Sequence, residues 1–240
     1  MQVINMIHIL LNQFTFDQAW GFGELSQLIE KDMKVLMMPL SYNDGWSNEF
    51  ATWDDFFAKG KPAYEMMVRP FYNYGIREKQ ISWFNYYQDN YATAKAKIEA
   101  ADIIVITGDC GEWIMQRIED LGLRDLLCNF DGILIGHHAG ALVQLDTFHE
   151  SNLDNTFELQ EGLGLLTEFD VDINYVEDEE HLSTIIREIE DVGNPVVAIP
   201  KNSGLLIVDG EFTLLGDSFV LNHTHLDDIY RAYDSYRYDV

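Results

Sequence analysis

Short apolar runs alternate along the chain with stretches in which apolar residues return every three or four positions. The runs at 3–11, 35–40, 81–84, 103–107, 132–135, 169–174, 196–199, 204–208 and 211–214 predict β-strands, and the stretches at 23–31, 53–72, 91–100, 111–121, 139–145 and 179–191 predict helices. A strand that is apolar without interruption buries both faces. Such strands separated by helices predict a parallel sheet with helices on either side, an α/β fold. The stretch 204–214 differs, because Asp209-Gly210 between two apolar runs predicts a tight β-hairpin near the C-terminus. No internal repeat, low-complexity tract or Ser/Gly linker divides the 240 residues, so one domain spanning 1–240 is expected.

In open α/β sheets, ligands bind outside the carboxyl ends of the strands. Three strand ends therefore carry the candidate chemistry: Thr107-Gly-Asp-Cys-Gly, Gly136-His-His-Ala-Gly-Ala and Asn174-Tyr-Val-Glu-Asp. The second has the outline of a nucleophile elbow. An apolar strand enters Gly136, and His138 occupies the corner before a small-residue helix start at Ala139-Gly140. Glycines relieve crowding at such a turn, and the helix start that follows offers backbone N–H groups to a developing oxyanion.

With this segment the chain resembles the peptidase E and cyanophycinase family, whose members carry Gly-x-Ser-Ala-Gly-Ala at the elbow. The resemblance extends to the glycine-containing loop Thr107-Gly-Asp-Cys-Gly, to Gly162-Leu-Gly-Leu-Leu ahead of the next strand, and to Ile199-Pro-Lys-Asn-Ser-Gly near the end. It covers about residues 101–216. It implies a flavodoxin-like sheet of the class I glutamine amidotransferase-like type, and serine-type hydrolysis of short peptides or aspartyl bonds with no cofactor and no metal. It also places the site. The nucleophile position is His138, the base position at the end of the following strand is Asn174, and the acid position falls at Asp154, with Asp146 behind it. Gly108, Asp109, Gly136, His137 and Ala139 are expected to line the binding site, with Asp109 standing where the family has a second glycine.

Serine hydrolysis needs a hydroxyl, a base and an orienting acid. Neither His138 nor Asn174 supplies what its position requires. The expectation is a protein that keeps the frame and a ligand- or partner-binding role without serine dipeptidase activity. The alternative is a hydrolase rebuilt around His138 with Asp154, Asp109 or Glu112. Ser203 reads as a turn residue and Cys110 as a partly buried thiol. A metal set of His137, His138 and His149 with Asp146 lacks any recognised ligand spacing, so no metal is expected. His223 and His225 alternate as they would on one face of an edge strand. Phe56, Phe57, Met67 and Phe71, in an aromatic stretch that begins with Tyr42 and Trp46, fit a buried helix face. The aromatic tail from Ile229 is expected to cover a sheet edge or meet a second copy.

Composition narrows the partners. A formal net charge of −26 repels phosphate backbones and anionic lipid, which argues against nucleic acid and membranes. A short peptide or other small molecule, and a homodimer, are the partners compatible with it. Two cysteines and an N-terminus without a basic, cleavable leader point to a reducing, cytoplasmic setting.

Overall fold

The computed structural model describes residues 6–41, 50–149 and 157–238. Its centre is a seven-stranded sheet. Strands β1 (Ile7–Leu11), β2 (Val35–Pro39), β3 (Ile81–Trp83), β4 (Ile103–Gly108) and β5 (Ile133–His138) lie parallel in the spatial order β1-β5-β4-β2-β3. Alternate residues feed two cores. Leu36, Met38, Ile104, Ile106 and Leu134 face one side, and Val35, Met37, Ile103, Val105, Ile133 and Ile135 face the other. The first side is covered by α4 (Tyr91–Glu99), α5 (Gly111–Asp120), α6 (Arg124–Cys128) and α7 (Ala139–Leu142). The second is covered by α1 (Ala19–Leu25), α2 (Phe50–Phe57) and α3 (Pro62–Asn73). The α/β class and the parallel strands match the hydrophobic pattern.

Two short strands, β6 (Thr147–Phe148) and β7 (Gln160–Glu161), pair beyond α7. The next two strands do not extend the main sheet. β8 (Asp170–Ile173) and β9 (Val196–Ile199) lie parallel in a separate three-stranded sheet, with α8 (Glu179–Arg187) between them in sequence and β12 (Phe219–Leu221) antiparallel at its edge. The hairpin forms as predicted from β10 (Gly204–Val208) and β11 (Glu211–Leu215), and β10 pairs antiparallel with β1. Asp209 and Gly210 turn with φ of 52° and 80°, the left-handed pair that a two-residue hairpin needs.

Several expectations are corrected. The single helix at 53–72 is two, because Gly60 has φ 85° and Pro62, whose missing N–H suits a first helical position, opens a second helix. On these helices Phe57, Met67 and Phe71 are buried as expected, but Phe56 is exposed and Trp53 takes the inward place. The helix expected at 23–31 begins earlier, at Ala19, where Gly21 lets it approach the Phe16 backbone. His223 and His225 lie in a 3-10 turn capped by Asn222 rather than on a strand. The tail forms α9 (Leu226–Tyr238), which packs Ile229 against Leu182, Ile185 and Ile186 of α8. Tyr42, Trp46 and the start of the first predicted strand lie outside the described residues. Among the described residues no helix is long and apolar enough to cross a membrane.

Candidate active site

The elbow forms at the end of β5. His138 has φ 52° and ψ −127°, the strained corner that exposes one side chain between strand and helix. Its neighbours have to be glycine. A Cβ on Gly136 would meet the Gly140 carbonyl and the Gln144 amide, and a Cβ on Gly140 would meet the Ile106 carbonyl. On β4, a Cβ at Gly108 would strike Ser41.

The Gly162-Leu-Gly-Leu-Leu segment braces this corner from outside. Gly162 N–H donates to Asp146 O (2.9 Å), Leu163 N–H to Val143 O (2.8 Å), Gly164 N–H to Leu145 O (3.0 Å), and Leu165 and Leu166 N–H to Gln144 O. Asp146 N–H returns a bond to Leu166 O (2.9 Å). Gly162 is required here because a Cβ would collide with the Leu145 carbonyl. Leu163 and Leu166 then sink into the core beside α7.

A cleft of about 340 Å³ opens in front of the corner, lined by Asp109, His138, Ala139, Leu142, His149, Val171, Asp172, Ile173, Asn174, Glu180 and His181. The three strand ends singled out by sequence thus contribute Asp109, His138 and Asn174 to one space. Asn174 is exposed and also holds a left-handed conformation, with φ 68°. Burial pushes the His138 imidazole below its ordinary value, partly offset by the Asp109 charge and the Asn12 main chain.

His137 does not line the cleft. It points to the other face of the sheet, where its Nδ1 lies 2.9 Å from Thr107 Oγ1 and its ring tilts against that of Phe14 with centroids 4.2 Å apart, while the His138 ring stays 4.4 Å away. Burial holds it well below the usual imidazole range. Gly108 and Gly136 act through close packing and present no side chain. Asp154 lies outside the described residues. Asp146 binds the Thr147 N–H (2.8 Å) and does not line the cleft, nor does Glu112. The four-residue metal set does not assemble, since His149 lies with Asp170 and Glu188 instead. Ser203 serves its turn, accepting from Asp217 N–H at 2.9 Å.

Two features escaped the sequence reading. One is a dyad inside the cleft, with His181 Nδ1 2.7 Å from Asp172 Oδ1. Asp178 caps α8 by accepting from His181 N–H, which turns the first helical turn toward β8. Burial alone would lower the His181 imidazole, but the Asp172 carboxylate, with the Asp178 and Glu180 charges, outweighs that and leaves it raised. Burial raises Asp172 in turn. The other feature lies behind the cleft wall, where His149 Nδ1 is 2.5 Å from Asp170 Oδ2 and 3.7 Å from Glu188 Oε2. Burial and the Asp170 charge push Glu188 up to about 8. An aspartate two residues from another on β8, and a glutamate at the end of a helix, carry no spacing signal that would have announced either cluster.

Among solved structures, the chain superposes on a candidate peptidase E from Listeria monocytogenes EGD-e with a TM-score of 0.59 and 14% identity, over 88% of this chain and 98% of that one. This chain has a peptidase E-like fold. A peptidase from an acI-B1 Actinobacterium aligns with a TM-score of 0.57 and 14% identity, over 91% of this chain and 94% of that one. No family model and no curated protein matches the sequence. Coverage of 88% and 91% of this chain is too large to be confined to residues 101–216, so the likeness in fold reaches into the first hundred residues, where sequence motifs carried little signal.

Proposed function

We propose that the chain uses its peptidase E-like frame to bind a small amine-bearing molecule, such as a short peptide, without serine acyl transfer. One observation carries this reading. Among the described residues that line the cleft, none has a hydroxyl or a thiol, and the corner position holds an imidazole. Among those residues, acyl transfer by the serine route finds no attacking oxygen. What the cleft does offer is acid. Asp109, Asp172 and Glu180 share it with His138, His149 and His181, which favours an ammonium group over an acidic side chain.

The test is a titration of the full chain with neutral dipeptides, with free or acetylated N-termini, followed by heat of binding. The free form binds and is recovered intact, and acetylation weakens binding by about tenfold or more, the equivalent of one charge-assisted hydrogen bond. Fluorophosphonate labelling, or cleavage of aspartyl dipeptides, would overturn the absence of serine chemistry. Equal affinity for the acetylated form would overturn the ammonium site.

The His181–Asp172 dyad supports a second reading, a hydrolase rebuilt around His138 that uses an oriented imidazole as general base. Under that reading a hydrolytic activity is found and is lost in both His138→Ala and His181→Ala.

A further inference from the structure

We propose that His149, Asp170 and Glu188 bind one divalent transition-metal ion, of the zinc or manganese class, behind the wall of the cleft. Nδ1 of His149, one oxygen of Asp170 and one of Glu188 all lie within 4.8 Å of one another. The three side chains are between 1% and 2% exposed. Asp170 Oδ1 is already satisfied by Val171 N–H at 2.6 Å. The atoms left without a hydrogen-bond partner are His149 Nδ1, Asp170 Oδ2 and Glu188 Oε2, the same three that converge. The His149–Asp170 contact is short, and against the lowering effect of burial the Asp170 carboxylate raises the His149 imidazole.

Buried polar atoms nearly always find a partner, and a buried like-charged pair needs a counter-charge. A cation at the point of convergence satisfies all three atoms together. Protons on Glu188 and on His149 Nδ1, the latter directed at Asp170, are the rival explanation, and a metal titration separates the two. The donor set of one imidazole nitrogen and two carboxylate oxygens suits zinc or manganese, whereas calcium and magnesium take oxygen alone. The ligands also come from three separate segments. His149 follows β6, Asp170 opens β8, and Glu188 begins the π-helical turn Glu188–Val192 that widens the end of α8. Turns of this kind are frequent at functional sites. His149 also lines the cleft, so the cleft is the side nearest to solvent for an ion at this point.

The experiment uses the full chain, stripped with a chelator and titrated with zinc, manganese, cobalt or calcium by calorimetry and thermal melting. Zinc is expected to bind at one ion per chain and to raise Tm, with calcium inert. Glu188→Gln, which imitates a protonated carboxyl, and Asp170→Asn weaken zinc binding by at least about 100-fold. A His223→Ala/His225→Ala double variant, which removes the surface imidazoles, retains the ion. Should the buried variants fail to fold, the wild-type cobalt complex decides, since ligation by imidazole and carboxylate gives a visible absorption band that the surface double variant keeps. No stoichiometric uptake, unchanged affinity in Glu188→Gln and Asp170→Asn, or loss of the ion in the surface double variant overturns the proposal.

Discussion

His138 keeps a backbone conformation that few side chains adopt, at a cost of about 1–3 kcal/mol. Its place at the elbow was legible because glycines on either side mark a crowded corner, where a Cβ on Gly136 would strike the Gly140 carbonyl and the Gln144 amide and one on Gly140 the Ile106 carbonyl. Which imidazole faces the cleft was not legible, because the two rings sit only 4.4 Å apart at the corner and spacing alone does not say which one opens onto the cleft. Another histidine shows how burial decides charge. His8 on β1 is buried, its Nδ1–H donates to Gln144 Oε1 at 2.8 Å, and burial lowers its pKa below the ordinary 6.5. A lowered imidazole pKa means that the unfolded chain takes up the proton first as pH falls below 6.5, so this contribution to stability is present above that value and is lost on acidification. Urea unfolding of His8→Gln is expected to show a shallower loss of stability than wild type between about pH 7 and about pH 5. Comparing the two chains isolates His8 from His137 and His138, which act in the same direction, and from His149 and His181, which act oppositely.

At the scale of elements, strands were the most legible, because continuous apolar runs such as 103–107 leave little freedom of assignment. Helix boundaries were less so. The break at Gly60 and Pro62 is a local signal that the apolar periodicity on both sides of it masks. The second sheet could not be foreseen from β8 and β9 themselves, since their apolar character is the same whichever sheet receives them. The helix that covers this sheet makes a prediction. Ile229 of α9 is 5% exposed and packs against Leu182, Ile185 and Ile186. Its truncation to alanine is expected to cost about 2–3 kcal/mol in equilibrium urea unfolding, near the lower end for a buried isoleucine because the cluster is small.

For the whole molecule, the acid that bears on the choice of ligand also bears on stability. A net charge of −26 repels itself most strongly in the compact state. Raising salt from about 0.01 M to about 0.15 M shortens the screening length from about 30 Å to about 8 Å, so Tm is expected to rise over that range in thermal melts. A flat or falling Tm would mean that specific pairs such as Lys97–Asp89, at 2.6 Å, outweigh the general repulsion. The brace around the elbow has a consequence for how such a chain changes over generations. The bonds between residues 143–146 and 162–166 join main chain to main chain and are indifferent to which side chain stands at 138. The corner therefore behaves as a socket, and its occupant can be exchanged while the scaffold persists, so chemistry and architecture are free to part company in this lineage.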